Sequence, residues 1–173
     1  MIGVSAEKVE ASFEWGIERE GLRIFTQAIM DPDPRYWDEA FAKSTKFGAI
    51  ITPPIYCTYI GRRQRPGADD PVTRAFKENP NSDGIGGVRT GEGKGSLPLV
   101  PTPLKRILNA GNEIELRQYP KIGDRIFSQA KYADIKERVQ KDGSRMLVVT
   151  TETLYTNQNG ELLCILRASQ IRR

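Results

Sequence analysis

DPDPRYWDEAFAKSTKFGAIITPP, residues 31–54, decides how this chain is read. Each proline disfavours helical geometry in the residue before it, so DPDP ends whatever helix precedes it. WDEAFAKS (37–44) suits a short helix, and KFGAIITPPIYCTYIG (46–61) is almost uniformly apolar, as the most buried element would be. Periodicity does not separate strand from helix over 50–61. Thr52 ahead of Pro53-Pro54 favours a helix beginning there, because threonine caps and proline is tolerated in a first turn. A helix that is hydrophobic all round belongs in a core.

Working outward, KVEASFEWGI (8–17) alternates partly, with Val9, Ala11, Phe13 and Trp15 on one side, which predicts a strand. EREGLRIFTQAIM (18–30) predicts a helix with Leu22, Phe25, Ile29 and Met30 on its apolar face. Residues 62–103 form a long excursion, charged first, then glycine-rich, then LPLVPTP. Its GEGKGS resembles a phosphate loop only superficially, since that motif needs glycine at 88 and the residue is Val88. From about 104 the pattern becomes extended, with KDG (141–143) and NQNG (157–160) as hairpin turns, and a meander of strands is expected. Strand, helices, then a run of strands describe one α+β domain, residues 1–173, in which a sheet packs on a helix.

With 38% hydrophobic and 28% charged residues, the chain has the composition of a globular protein. No apolar run approaches the ~20 residues of a membrane-spanning helix. The start, MIGVSAEKVEASFEWG, lacks the basic-then-apolar pattern of a secretory signal, so the expected location is the cytoplasm. The net charge of +4 comes from signs mixed along the chain, without a basic arm, and nucleic acid is not an expected partner. Cys57 and Cys164 are far apart and read as buried, reduced thiols. The most informative count is zero histidines. It excludes a histidine general base, a histidine-containing triad and an HExxH metal site from this polypeptide.

The helix-turn at 18–36, YWDEAFAKSTKFGAIITPP and LNAGNEIELRQYPKIGDRI together resemble the MaoC-like dehydratase family, especially its N-terminal-type domain. The resemblance implies the hot-dog fold, an antiparallel sheet wrapped around a largely buried helix. It implies an acyl thioester ligand, usually a coenzyme A ester, bound without a further cofactor. It also implies a hot-dog partner chain, as a homodimer or as a heterodimer or heterotetramer. Active members resembling it hydrate trans-2-enoyl thioesters or dehydrate their products through an Asp-x-Asn-Pro-x-His motif, whose Asp and His share one water. Backbone N–H groups at the start of the central helix would polarise the thioester carbonyl. Asp31 matches the motif's Asp, Asp33 replaces its Asn, Pro34 is retained and Tyr36 replaces its His. Phe47, Gly48, Ile51 and Thr52 match the approach to the central helix, and Arg62 and Arg63 follow it within reach of coenzyme A phosphates.

Each of these residues has a plainer reading beside the functional one. Asp31 and Asp33 also fit simple turn capping. Tyr36 and Trp37 fit packing, and Phe47, Ile50 and Ile51 fit a core. Arg62, Arg63 and Arg65 fit a solvated face, and the 81–96 stretch fits either a lid or a disordered loop. Because tyrosine ionises near pH 10, Tyr36 is a poor base at neutrality. The expected function is therefore a non-catalytic or co-catalytic subunit of a heteromeric enoyl-CoA hydratase whose partner carries the Asp/His pair. The alternatives are a self-sufficient hydratase or thioesterase using Asp31 and Tyr36, and a non-enzymatic acyl-CoA-binding module. The thioesterase option is disfavoured by the lack of any carboxylate in 50–61.

Overall fold

Leu22, Phe25 and Thr26 fall on one side of a helical turn and are the buried residues of α1, Arg19–Ala28. The expected apolar face is realised only in this first part. Ile29 and Met30 lie beyond the helix end and are 42% and 87% exposed. The helix stops through its backbone rather than at the prolines. Met30 takes a left-handed φ of 54°, its N–H donates to the Gln27 carbonyl (3.1 Å), and the Asp31 N–H donates to the Thr26 carbonyl (3.1 Å). This paired closure is a Schellman motif with methionine where glycine is usual.

The computed structural model describes residues 1–61, 67, 71–78, 80, 94–104, 106–140 and 142–173. After α1 come a 3-10 turn, Pro34–Tyr36, then α2 (Glu39–Ser44), α3 (Tyr56–Ile60) and α4 (Pro71–Glu78). The strands are β1 (Val9–Glu10), β2 (Ile107–Leu116), β3 (Phe127–Val139), β4 (Arg145–Thr156) and β5 (Leu162–Arg172). They form one antiparallel sheet in the order β1-β3-β4-β5-β2. The sheet curls around α3 to give the hot-dog fold.

Three expectations are corrected. First, the strand expected over 8–17 is only Val9–Glu10, supplemented by an isolated bridge at Ser5. The Ala11 and Ser12 N–H groups both donate to the Ile126 carbonyl (2.7 and 3.1 Å), so the regular ladder cannot continue. Second, the four later strands are not a simple meander. β3, β4 and β5 follow as hairpins, but β2 lies beside β5, and residues 117–126 cross the end of the sheet to reach β3. Third, Thr52 does not cap a helix. Its N–H donates to the Pro120 carbonyl (3.1 Å), Ile51 bridges Lys121, and α3 begins only at Tyr56 with Ile55 as an uncapped N-terminus.

The core joins Leu22 and Phe25 of α1, Ala42 of α2, Tyr56, Cys57 and Ile60 of α3, Ile126 just ahead of β3, and Tyr155, Leu163 and Cys164 of the sheet. Five helical residues rise only about 7.5 Å, whereas 13 strand residues extend about 43 Å, so α3 covers part of the sheet. The remainder is covered by the end of the long excursion. Val100 and Leu97 pack on Tyr132, Val149, Ile135 and Leu147, and the Tyr132 hydroxyl donates to the Pro98 carbonyl (2.7 Å). The opposite face of the sheet carries an ion-pair network alongside apolar residues such as Leu154 and Ile165. Lys131, Glu152 and Arg167 stand abreast on three strands, joined at 2.8 and 2.9 Å, and Arg167 also reaches Glu113 (3.1 Å) and Glu115 (3.2 Å) on β2. Both buried cysteines are free thiols, as expected.

Candidate functional site

The end of α1 delivers Asp31 directly into the DPDP turn. One Asp31 carboxylate oxygen accepts the Asp33 N–H (3.1 Å). Asp33 in turn caps the 3-10 turn by accepting the Arg35 N–H (3.0 Å). Both oxygens of Asp33 are engaged by the Arg35 guanidinium, whose Nε lies at 3.0 and 2.8 Å. The hydrogen bond from that guanidinium holds the Asp33 carboxyl below its ordinary range, and the same pairing holds Arg35 protonated. Asp33 is therefore a structural anion with its lone pairs committed.

Tyr36 is buried, 6% exposed, at the end of the turn. Burial pushes its phenol above the usual value, and the nearby Asp31 and Asp33 charges push in the same direction. Arg35 lies over the ring, 5.9 Å from its centroid, and opposes the shift only in part. The phenol is thus a proton donor at neutral pH and holds no lone pair basic enough to take a proton from water.

Backbone pairing seats this turn against the apolar stretch. The Ile51 N–H donates to the Arg35 carbonyl (3.3 Å), and Phe47 packs edge-on to Tyr119 at 5.0 Å. Gly48 has φ 67°, and a Cβ there would meet nothing within 4 Å. Glycine serves the chain reversal at this position, not close packing. Ile51 and Thr52 are fully buried, and the Thr52 hydroxyl has no hydrogen-bond partner among the described residues. The Ile51–Arg35 bond thus ties the segment carrying Phe47 and Gly48 to the turn carrying Asp31, Asp33 and Tyr36, whereas Ile51 and Thr52 themselves belong to the interior. Arg62 and Arg63, expected to face coenzyme A phosphates, lie outside the described residues, as does Arg65 and much of the 81–96 stretch.

The start of α3 offers little to a carbonyl oxygen. Pro53 and Pro54 carry no N–H, and the Tyr56 N–H is committed to the Pro53 carbonyl (2.9 Å). Pro53, Pro54 and Tyr56 therefore supply none of the helix-start donors implied by the family resemblance.

Sequence reading missed two contributors. One is Arg35, whose neutralisation of Asp33 could have been foreseen from the Asp-Pro-Arg spacing. The other is Gly16, which has φ 68° and approaches the Lys121–Asp124 turn so closely that a Cβ would lie 2.7 Å from the Asp124 carbonyl oxygen. Gly48, Ala49 and Ile50 also line an open cleft of about 260 Å³, together with Arg19, Lys43 and Lys121 and with Glu39 among them. No group of His, Cys, Asp or Glu among the described residues could hold a metal ion. No helix among them is long and apolar enough to cross a membrane.

A family model described as "FAS1-like, dehydratase domain region" matches residues 1–166. The chain belongs to this MaoC-like hot-dog dehydratase family. Solved structures agree on the fold. The ChsH1-ChsH2 complex from Mycobacterium tuberculosis matches with a TM-score of 0.67 at 14% identity, over 97% of this chain and 83% of that one. The C-terminally truncated HadBC complex, a 3R-hydroxyacyl-ACP dehydratase from the same organism, matches with a TM-score of 0.61 at 15% identity, over 98% and 96%. The MaoC-like dehydratase from Rhodospirillum rubrum matches with a TM-score of 0.59 at 18% identity, over 100% and 94%. No curated protein sequence matches the chain.

Proposed function

We propose that this family member is the non-catalytic or co-catalytic half of a heteromeric enoyl-thioester hydratase. It contributes binding surface for an acyl-CoA, while a hot-dog partner chain supplies the Asp/His pair. The observation that carries the reading is Tyr36, a buried phenol held protonated at the position of the family's base, in a chain with no histidine. Water addition to C3 needs a base at that place and protonation of C2 needs an acid. This site retains a donor and a carboxylate that serves the turn. The two prolines ahead of α3, which carry no N–H, point the same way. Two of the structurally similar proteins are two-component complexes, ChsH1-ChsH2 and HadBC, which supports assembly with a partner.

The test is hydration of a trans-2-enoyl-CoA, followed by loss of the enoyl absorbance. The isolated chain is expected to be inactive, and co-expression with a MaoC-like chain bearing an intact Asp-x-Asn-Pro-x-His motif is expected to give turnover. Turnover by the isolated chain that disappears in Asp31→Asn would overturn the proposal in favour of a self-sufficient Asp31/Tyr36 enzyme. Binding of acyl-CoA without turnover in any pairing would reduce the chain to a binding module.

A further inference from the structure

The cleft beside Gly48 is not used by anything described so far, yet its chemistry is specific. Arg19 from the first turn of α1, Lys43 from the last turn of α2 and Lys121 from the crossing segment converge on it, and Glu39 is the one carboxylate among the described lining residues. Glu39 is shared between Arg19 (3.2 Å) and Lys43 (3.3 Å). Three cations and one carboxylate leave an excess of two positive charges, the complement of a phosphate dianion or a diphosphate. Both ion pairs are more than half exposed, so each holds its partners weakly and an entering anion can share the cations at little cost. Gly48, Ala49 and Ile50 complete the lining, and the left-handed glycine leaves open space where a Cβ would stand. A volume near 260 Å³ takes a phosphate group with its first substituents and falls short of a whole nucleotide or acyl chain.

The position of the cleft matters as much as its charge. The segment Gly48–Ile50 that lines it continues into Phe47 on one side, which meets Tyr119, and into Ile51 on the other, which bonds to Arg35 of the DPDP turn. One short stretch of backbone thus links the cleft to the turn that carries Tyr36. We propose that the cleft binds a phosphate of the thioester's carrier, a phosphorylated pantetheine such as that of coenzyme A, with Arg19, Lys43 and Lys121 supplying the charge. The inference rests on the thioester reading above and gives it an anchoring point at a distance from the reacting carbon. Anchoring there by non-reacting parts of a substrate is how a subunit without a base still contributes to turnover.

The test is calorimetric titration of the intact chain, alone and with its partner, with coenzyme A, dephospho-coenzyme A, 4′-phosphopantetheine and pantetheine. The proteins are wild type, Lys43→Gln, Lys121→Gln and the double variant, all at exposed side chains, with circular dichroism confirming the fold. The double variant is expected to bind coenzyme A about tenfold or more weakly, with pantetheine affinity unchanged and the wild-type affinity falling as salt rises. Loss confined to coenzyme A assigns the cleft to the 3′-phosphate. Loss shared with dephospho-coenzyme A assigns it to the diphosphate. Coenzyme A bound equally by wild type and double variant overturns the inference and leaves the thioester reading standing. Failure of wild type to bind coenzyme A, alone or with a partner, overturns both.

Discussion

Gly16 fixes the turn that presents Lys121, and replacing it with alanine measures how much the site depends on that fixation. At φ 68°, a residue with a Cβ pays about 1–2 kcal/mol for the left-handed conformation alone. In addition, the new Cβ would sit 2.7 Å from the Asp124 carbonyl oxygen and 2.9 Å from that of Gly123. Neither can retreat freely, because the Ile17 N–H donates to Asp124 O (3.0 Å) and the Gly123 N–H donates to Ile17 O (2.9 Å). Separating the two strands of chain by a few tenths of an ångström weakens at least one of these bonds, at about 0.5–1.5 kcal/mol. The expected loss is about 2–3 kcal/mol in urea denaturation followed by circular dichroism. For a chain of this size that is a fall in Tm of roughly 4–12 °C. Gly123→Ala is the internal control. Its φ is 86° and a Cβ there meets nothing within 4 Å, so it carries only the conformational cost of about 1–2 kcal/mol. Equal losses in Gly16→Ala and Gly123→Ala would refute the claim that close backbone approach, rather than turn geometry, makes Gly16 necessary.

Met30→Gly should stabilise the fold by about 0.5–1 kcal/mol, because relieving the left-handed methionine outweighs the extra freedom of glycine in the unfolded chain. Chemical denaturation reads this directly, and a loss of stability would show that the Schellman closure does not tolerate the change. Burial raises Tyr36 above its unfolded value, so its contribution is fully present below about pH 10 and is lost as pH climbs through the folded value. Tyr36→Phe should therefore flatten the decline of stability with alkaline pH, with Tyr132, similarly raised by burial, accounting for part of what remains.

The fold was legible wherever hydrophobic pattern and turn chemistry agreed. Leu22 and Phe25 marked α1, KDG and NQNG marked the two hairpins joining β3, β4 and β5, and the apolar 46–61 stretch marked the centre. Long-range pairing was not legible. Nothing local distinguishes β2 beside β3 from β2 beside β5, since both arrangements bury the same alternate residues. Thr52 misled because a cap signature is local, whereas pairing with Pro120, more than 60 positions away, holds Thr52 in extended chain and the helix begins only at Tyr56. At the candidate site the missing histidine was plain from composition, and the burial of Tyr36 sharpened its meaning. The anion cleft could not be read, because Arg19, Lys43 and Lys121 come from three segments that only the tertiary fold brings together.

The way the sheet is covered has a consequence for chain length. Ile60, at the end of α3, is fixed in one part of the core, and Leu97 and Val100 are fixed on the other. The chain between these anchors can lengthen at a closure cost that grows only logarithmically, about 0.6 kcal/mol for each doubling. A change of chain length between these anchors is thus a small entropic perturbation compared with the loss of either cluster.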